Sequence, residues 1–359
     1  MTPALSVIDE FQKRSGIEIV FVGRRHAIDS DLTPSFEYRE VTKRRISFIH
    51  LPTGRLTRIL SLQSLFNIAK IPSGFLRAYK IVSREKPDCI ISFGGYIALP
   101  VGIAGFFLRI PVYVHEQTIH AGITNKLLGK FSRRIFVGFP QAANYFNRKK
   151  TVISGNPVRE AVFTIQKRLF DLSYANDKKV IYVTGGSLGS HSLNIHVENI
   201  LTDLLKNFII IHQCGENSYR DFERLSKINH EHYFVKKHFF DDEIGFIFSV
   251  SDMVVSRAGA NTITELVALE KPAVLIPLPY SAGGEQKEQA LWLKDMGVAE
   301  VHFQNRPARD LFSKIETISN DLENYRMNFK NINFVFKKDS AKVIVDSIYD
   351  DIAAISSKT

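Results

Sequence analysis

The sequence predicts an α/β protein built from two Rossmann-like domains, and the prediction rests on chain length and on the type and order of the apolar segments. The chain has 359 residues, and a single hydrophobic core rarely extends beyond about 250–300 residues, so two domains are expected. Short β-branched and aromatic runs alternate with longer helical patterns along the whole length. Most of these runs are continuously apolar, which is typical of parallel strands covered by helices on both faces. Ligands of such sheets bind at the carboxyl ends of the strands.

Eight strands are predicted from these runs, four in each half of the chain. They cover residues 17–22, 89–93, 112–115, 134–137, 180–184, 208–213, 253–256 and 273–276. A domain boundary is expected at the polar sequence SGNPVRE, residues 154–160, which separates one strand–helix set from the next. We therefore assign residues 1–157 to an N-terminal domain and 158–335 to a C-terminal domain. Residues 336–359 are expected to form a C-terminal helix that packs back on the first domain.

Composition and charge restrict the kind of protein. Hydrophobic residues make up 45% of the chain and charged residues 23%, which are the proportions of a folded protein. The two cysteines, Cys89 and Cys214, are too few for a disulfide framework and fit a reducing cytosol. The sequence shows neither a signal peptide nor the ~18 uninterrupted apolar residues of a spanning helix, so a soluble or peripheral intracellular protein is expected. The net charge of +10 suits an anionic membrane or substrate, and no nucleic-acid partner is expected because no binding motif accompanies it.

Two glycine-containing turns follow predicted strands of the second half and are candidates for phosphate binding. The first is GGSLG at residues 185–189, and the second is RAGANTITE at residues 257–265. Glycine lets the backbone approach a phosphate, and the following helix contributes N–H groups and the positive end of its dipole. A plain tight turn is the alternative for the first loop. Glu265 is either a capping-box acid at a helix start or a carboxylate that accepts hydrogen bonds from both hydroxyls of a ribose.

Polar side chains also follow other predicted strands. The loop SAGGEQ at residues 281–286 places Gln286 at a helix start, either as a sugar ligand or as a solvated side chain. In the first half, SFGGY at residues 92–96 and HEQT at residues 115–118 should meet at one sheet edge. His115 is a candidate base, and the alternative is a buried histidine bonded to the backbone. The sequence contains no histidine or carboxylate pair with metal-ligand spacing, so no metal site is expected.

Taken together, these loops resemble the MurG family of GT-B glycosyltransferases over nearly the whole chain. Each motif alone is weak, but eight occur in the family's order and approximate spacing. They are GGY (94–96), HEQ (115–117), AGxTNK (121–126), GNPVR (155–159), GGSxG (185–189), HQxG (212–215), SRAGAxTxxE (256–265) and GEQ (284–286). The resemblance implies a GT-B fold, in which two Rossmann-like domains with parallel sheets face a central cleft. It also implies an inverting transfer of N-acetylglucosamine (GlcNAc) from UDP-GlcNAc to lipid I, the undecaprenyl-diphosphate muramyl peptide. The product is lipid II of peptidoglycan synthesis, and the site of action is the cytoplasmic face of the cell membrane.

The resemblance further assigns roles to individual residues. The C-terminal domain would bind UDP-GlcNAc, and the N-terminal domain would bind lipid I. The donor residues by role are Arg159 and Ser187 for the diphosphate, the Phe240 backbone for the uracil, Glu265 for the ribose and Gln286 for the sugar. Phosphate would also lie against Gly259, Ala260, Asn261, Thr262, Ile263 and Thr264. The acceptor diphosphate would lie against Gly94, Gly95 and Tyr96, and no cofactor is implied.

Two departures from the family pattern affect the expected chemistry. The family has HEQN where this chain has Thr118 as the fourth residue, and a hydroxyl replaces only part of the amide's hydrogen bonding to the donor. The family also has a GGxGGH loop before a segment like residues 2–7, and the histidine of that loop is its favoured base. We expect that the gene start is misassigned and that upstream DNA encodes the loop in frame, the alternative being an inactive copy. Within this chain, Glu116 is the nearest substitute for the base.

Residues 55–82 interleave apolar and basic side chains, which suits peripheral contact with the anionic inner-membrane surface. Phe106 and Phe107 would join that contact, and an ordinary amphipathic helix pair is the alternative. Two other functions are compatible with the same residues. One is a different GT-B UDP-sugar transferase with a lipid acceptor, and the other is a non-catalytic nucleotide-sugar-binding relative.

Overall fold

The fold is described from a computed structural model, which covers residues 1–26, 34–52, 62–172, 177–186, 189–280, 284–332 and 339–357. These residues form two compact units, Met1–Pro157 with Asp339–Thr359, and Val158–Lys338. All strand pairings within the described sheets are parallel. The predicted α/β class with parallel sheets is therefore confirmed.

The first unit contains a four-stranded parallel sheet and a separate pair of strands. Its elements, up to the last strand, are α1 (Thr2–Gln12), β1 (Val20–Gly23), α2 (Phe36–Lys43), β2 (Ser47–His50), α3 (Leu62–Glu85), β3 (Ile90–Ser92), α4 (Ala98–Phe107), β4 (Val112–Glu116), α5 (Ile123–Gly129), β5 (Arg134–Val137) and β6 (Thr151–Ile153). The larger sheet has the order β3-β4-β5-β6, and β1 pairs with β2. Every residue of β4 is buried, as its uninterrupted apolar start predicts. Glu116 therefore ends a strand in the centre of the unit.

The second unit is built on a six-stranded parallel sheet. Its elements are β7 (Lys179–Thr184), α6 (His191–Glu198), α7 (Leu201–Asn207), β8 (Phe208–Gln213), α8 (Asp221–Leu225), β9 (Tyr233–Lys236), α9 (Asp241–Val250), β10 (Met253–Ser256), α10 (Ala260–Ala268), β11 (Ala273–Leu275), α11 (Glu285–Asp295), β12 (Ala299–Val301), α12 (Ala308–Asn320) and α13 (Leu322–Met327). The strand order is β12-β11-β10-β7-β8-β9. The chain thus runs outward from β7 to β9 and then returns to the other side of β7. The point where the order reverses lies between β7 and β10, which is where ligands of such sheets bind.

The last helix of the chain, α14 (Ser340–Ser356), belongs to the first unit. Ile344, Val345 and Ile348 pack against Val7 of α1 and Phe136 of β5. These helical positions share one face because three- and four-residue spacings bring side chains onto the same side.

Asp351 lies on α14 one turn further on and makes a two-pronged ion pair with Arg134. Its carboxylate accepts from Arg134 Nε at 2.6 Å and from Arg134 Nη2 at 2.7 Å. Arg134 opens β5, so the pair joins the last helix to the sheet of the first unit.

The eight predicted strands all occur, with ends shifted by three residues or fewer. Four further strands were not predicted, namely β2, β6, β9 and β12. The last three lie at sheet edges, and β2 lies in the two-stranded sheet. Edge strands are short and bury only part of their surface, so they lack the continuous apolar run that reveals a central strand. Among the helices of the described ranges, none is both long enough and apolar enough to cross a bilayer.

Candidate active site

The turn after β10 ends in the N-terminus of α10, directly beside the point where the strand order reverses. Gly259 is the N-cap residue of this helix and carries no capping side chain. A capping-box acid occupies the third helical position, which here is Thr262, so the capping-box interpretation of Glu265 is wrong. Ile263 is fully buried, and Thr264 Oγ1 donates to Ala260 O at 2.7 Å. These two side chains face the protein, whereas the start of α10 presents its backbone N–H groups together with the partly buried Asn261 and Thr262.

Glu265 forms an ion pair with another predicted site residue, Arg159. Glu265 Oε1 accepts from Arg159 Nε at 2.8 Å, and Asp241 Oδ1 accepts from Arg159 Nη1 at 3.0 Å. Burial alone lowers the pKa of Arg159, but the Glu265 and Asp241 carboxylates outweigh it and hold that pKa above its ordinary value. Arg159 is therefore a permanent cation whose charge is balanced by two carboxylates. The structure thus brings together the predicted diphosphate and ribose residues.

The first glycine turn follows β7 on the other side of the strand-order reversal. A Cβ on Gly185 would lie 2.4 Å from Ser190 N, so only glycine fits against the start of α6. Gly189 has φ +74°, and a Cβ there would lie 2.3 Å from Cys214 O. The described glycines of this loop therefore lie against the start of α6 and the end of β8, so the loop leads into a helix N-terminus as the sequence predicts. Ser187 lies outside the described residues, so its predicted contact with the diphosphate stays a prediction.

Gln213, at the end of β8, joins this glycine turn to the turn that follows β9. Its Nε2 lies 3.1 Å from Gly186 O and 3.2 Å from Thr184 Oγ1, and its Oε1 accepts from Phe239 N at 2.9 Å. Gln213 is buried, so its amide acts as an internal brace between the two turns. Gln213 had no predicted role of its own. The available signal was a polar pair, His212 and Gln213, at the end of an otherwise apolar strand.

Phe240 begins α9 with its ring exposed to solvent. Its backbone N–H donates to Glu243 Oε2 at 3.1 Å, and its carbonyl accepts from Glu243 N and Ile244 N. Both backbone groups that the resemblance directs to the uracil therefore already take part in the helix cap. Gln286 lies in the first turn of α11, and its Oε1 accepts from Leu278 N at 3.1 Å. Both predicted contacts stay predictions.

In the first unit, the HEQT segment ends β4 and wraps around the Glu116 carboxylate. Oε1 accepts from Thr118 N at 3.1 Å and lies 2.9 Å from Thr118 Oγ1. Oε2 accepts from Gly122 N and from Asn125 Nδ2, both at 2.9 Å. The carboxylate is buried and each oxygen has two donors within hydrogen-bonding distance. This arrangement suits a residue that holds the loop in place, and it leaves few lone pairs for a substrate proton.

Thr118 and His115 also have partners within the first unit. The Thr118 hydroxyl lies 2.7 Å from His120 O as well as near Glu116, so its one proton serves this loop. His115 is fully buried, and its Nε2 lies 3.3 Å from Gly155 O. Burial lowers the pKa of His115 to about 4, so the ring is neutral at physiological pH. The backbone-bonded alternative for His115 is thus the one found.

The GGY loop follows β3 beside this segment. Gly94 and Gly95 both have left-handed backbones, with φ of +83° and +82°. A Cβ on Gly94 would lie 3.2 Å from Asn125 Nδ2, so the loop touches the start of α5. The Arg24 guanidinium lies 5.8 Å from the centre of the Tyr96 ring. The structure therefore brings the GGY and HEQT loops together at one sheet edge, as expected for neighbouring parallel strands.

Arg257 was not assigned a role from the sequence, although it opens the second glycine turn and reaches the helix that follows the first one. Its guanidinium donates to Ser190 Oγ, which belongs to the N-cap residue of α6. The sequence feature that could have revealed Arg257 was its position directly after the buried strand β10. In the ranges covered by the structure, no three His, Cys, Asp or Glu side chains cluster as metal ligands would.

The chain is similar to known glycosyltransferases in both of its units. Residues 1–137 match the glycosyltransferase family 28 N-terminal domain, and residues 180–345 match the glycosyltransferase family 28 C-terminal domain. A Bacillus cereus protein is 31% identical over 356 residues, covering 97% of this chain and 95% of the relative. It is named UDP-N-acetylglucosamine--N-acetylmuramyl-(pentapeptide) pyrophosphoryl-undecaprenol N-acetylglucosamine transferase 2. A Clostridium tetani protein with that name, without the numeral, is 30% identical over 353 residues, covering 97% and 95%.

A solved structure shows similarity to the same family. The crystal structure of Acinetobacter baumannii MurG matches with a TM-score of 0.70 and 25% sequence identity. The match covers 97% of this chain and 95% of that chain. Similarity thus extends over both units and over the four loops described above.

Proposed function

Because the chain belongs to glycosyltransferase family 28, we propose that it transfers GlcNAc from UDP-GlcNAc to the 4-hydroxyl of lipid I, giving lipid II. The observation that carries this proposal is identity of 31% over 97% of the chain with a transferase of that name, together with matches to both family domains. The enzyme is a hexosyltransferase of peptidoglycan synthesis. Its substrates are a UDP-sugar and a lipid-linked muramyl peptide.

The donor is proposed to bind where the strand order of the second unit reverses. The diphosphate lies at the N-termini of α6 and α10, where backbone N–H groups and both helix dipoles favour an anion. Gly259, Ala260, Asn261 and Thr262 are only partly buried, so the first turn of α10 is accessible. Helix N-termini and guanidinium groups then stabilise the charge that develops on UDP as the glycosidic bond breaks.

The ribose is proposed to bind Glu265. Arg159 occupies Oε1, and Oε2 has no hydrogen bond from the described part of the chain, so Oε2 is the oxygen available to a ribose hydroxyl. Arg159 also fixes the direction of the carboxylate, because its Nε donates at 2.8 Å. This arrangement favours one strong hydrogen bond to the ribose in place of the two expected from the sequence.

The acceptor diphosphate is proposed to bind the GGY loop of the first unit. Gly94 and Gly95 have left-handed backbones, and turns of this kind bind anions. Gly94 N already donates to Ser92 Oγ at 3.2 Å, so Gly95 N–H is the group of this turn proposed to meet the anion. The Tyr96 ring beside Arg24 supplies an aromatic surface next to a cation.

The reaction is a single displacement at the anomeric carbon of GlcNAc. The muramyl 4-hydroxyl oxygen attacks this carbon, the bond to the UDP oxygen breaks with inversion, and UDP leaves with the electron pair. The hydroxyl proton passes to a general base, and a positioned base contributes about 10²–10⁴-fold to the rate. Glu116 is the candidate within this chain, and its four hydrogen-bond donors make a positioning role the competing hypothesis.

Membrane contact is proposed through an apolar patch formed by Leu76 and Tyr79 on α3 and by Phe106 and Phe107 on α4. These side chains are 67%, 46%, 51% and 72% exposed, which is unusual for large apolar groups grouped on two packed helices. Arg77 and Lys80 are exposed on the same stretch of α3 and suit an anionic lipid surface. Residues 55–61 of the predicted contact segment, and the side chains of 62–71, lie outside the described residues.

Vesicle flotation tests this membrane contact. Vesicles of phosphatidylglycerol and phosphatidylethanolamine should bind the wild-type chain and should bind a Leu76→Ser/Phe107→Ser variant at least about 5-fold less. Ile153→Ser is the matched control, because Ile153 is 49% exposed on β6, away from the patch. Equal binding of the double variant and the control would remove the patch from the proposal.

Transfer itself is tested with radiolabelled UDP-GlcNAc and a soluble lipid I analogue. The expected result is labelled disaccharide product, with UDP-galactose competing weakly. Strong competition by UDP-galactose would point to another UDP-sugar transferase. Binding of UDP-GlcNAc without any transfer would support the non-catalytic alternative and overturn the proposed activity.

A further inference from the structure

Arg257 is a buried cation that lies between the two helix N-termini of the proposed donor site. It directly follows β10 and is 7% exposed. Its Nε and Nη2 donate to Ser190 Oγ at 3.0 and 2.6 Å, and Nη2 also lies 2.6 Å from Ser192 Oγ. Nη1 donates to Ile276 O at 3.0 Å, just beyond β11. The guanidinium therefore spans the carboxyl edge of the sheet from β11 to the start of α6.

Among the described residues, the oxygens that accept from Arg257 are all neutral. They are two serine hydroxyls, one backbone carbonyl and the amide oxygen of Gln304, 2.9 Å from Nη2. In the described part of the chain no carboxylate forms an ion pair with Arg257. Desolvation by burial lowers the pKa of Arg257 to about 10, which leaves it charged at neutral pH. A buried charge without a counter-charge is unfavourable, so an anion placed nearby is favoured.

Arg159 shows the opposite arrangement within the same unit. Its two carboxylate partners, Glu265 and Asp241, balance its charge at 2.8 and 3.0 Å. An incoming diphosphate therefore meets a group of one cation and two anions at Arg159, but an uncompensated cation at Arg257. Coulombic attraction to a dianion depends on this net charge, and it is strong where the surroundings exclude water.

We propose that Arg257 supplies the positive charge that distinguishes a uridine diphosphate from uridine at the donor site, while Arg159 mainly orients Glu265. This inference rests on the proposed function, because it concerns the same diphosphate. Arg257 is a positioning residue. It acts through its field and through Ser190 and Ser192, which it orients at the start of α6. The ribose is proposed to bind Glu265, which has no contact with Arg257, so the effect of Arg257 should follow the number of phosphates.

Titration calorimetry with uridine, UMP and UDP separates these contributions. For Arg257→Met, UDP affinity should fall by about 30-fold or more, UMP affinity by less, and uridine affinity by under about 3-fold. The slope of the UDP binding constant against salt concentration should also decrease, because one fewer cation faces the ligand. Arg257→Lys keeps the charge and should retain UDP affinity within about 5-fold.

Arg326→Met is the matched control. Arg326 pairs with Asp252 at 2.9 Å, at the opposite end of β10, so its loss removes the same charge far from the diphosphate. UDP affinity of this variant should stay within about 2-fold. Wild-type protein that fails to bind UDP would overturn the proposed function itself. Wild-type binding with equal losses of uridine and UDP in Arg257→Met would instead assign Arg257 to holding the loops and overturn only this inference.

Arg257→Lys decides the matter if Arg257→Met does not fold. A lysine cannot reproduce the bonds to both serines and to Ile276 O, but it restores the charge. Retention of the wild-type preference for UDP over uridine in Arg257→Lys supports the proposal. Loss of that preference in a folded Arg257→Lys protein overturns it.

Discussion

Replacement of Glu116 by glutamine separates the two roles proposed for this carboxylate. The amide has the same shape, but one acceptor oxygen becomes an NH₂ donor. If the NH₂ group replaces Oε1, the Thr118 hydroxyl can turn to accept from it, whereas Thr118 N keeps no acceptor. If it replaces Oε2, both Gly122 N and Asn125 Nδ2 face a donor. The first orientation is therefore expected.

The expected loss of stability follows from this geometry. One buried N–H left without an acceptor costs about 1–3 kcal/mol, and the bonds that remain lose the extra strength given by a charged acceptor. The free energy of unfolding should fall by about 2–4 kcal/mol, with a decrease in Tm of about 4–12 °C. Urea denaturation followed by circular dichroism measures the first quantity, and a thermal melt measures the second.

A catalytic base predicts a different result for Glu116→Gln. The loss of stability would be similar, because the same hydrogen bonds are present, but kcat would also fall by about 10²–10⁴-fold at saturating substrates. Glu85→Gln is the control, because Glu85 lies near the surface of the same unit beside Arg84, and it should change stability by under about 0.5 kcal/mol. A fall in kcat of that size in folded Glu116→Gln protein would refute the argument for a positioning role alone.

Three further predictions concern other parts of the chain. Gln213→Met removes the brace between two turns and should raise KM for UDP-GlcNAc about 10-fold with kcat within about 3-fold; an unchanged KM would contradict the brace. Asp351→Asn should cost about 1–2 kcal/mol at pH 7, because Arg134 is partly exposed and screened. Arg134 holds the pKa of Asp351 below its usual range, so the difference from wild type should vanish as the pH falls below about 4, as acid titrations would show. Burial lowers the pKa of His115 to about 4, so the unfolded chain binds its proton first on acidification. Stability should then fall from about pH 6.5 towards pH 4 by up to about 1.4 kcal/mol per pH unit, and His115→Gln should lessen this slope in pH-dependent urea denaturation.

The central strands were predictable because their signal is local. β4, β8 and β10 are buried on both faces, so each appears in the sequence as an uninterrupted apolar run. The glycine turns after such strands were equally visible, and the backbone of Gly189 shows why glycine is needed there. Short edge strands such as β9 and β12 escaped prediction because they bury less surface and carry charged residues.

The site was only partly predictable, because its residues could be named but their partners could not. The sequence placed Glu265 near a helix start, and the structure excludes the capping box because Gly259 begins that helix. Nothing local shows that Glu265 pairs with Arg159, since the two residues are 106 positions apart. The four donors around Glu116 are likewise set by how the loop folds back onto β4.

By itself, the sequence determined the α/β class, the central strands, the loops at their carboxyl ends and, through the order of eight motifs, the family. The tertiary structure alone decided the reversal of strand order at β7 and β10, and with it which loops lie side by side. It also decided that carboxylates balance the charge of Arg159, whereas none of the described carboxylates pairs with Arg257. The physical reason is that burial follows from the local apolar pattern, whereas the field at a charged group depends on every neighbour that folding brings to it.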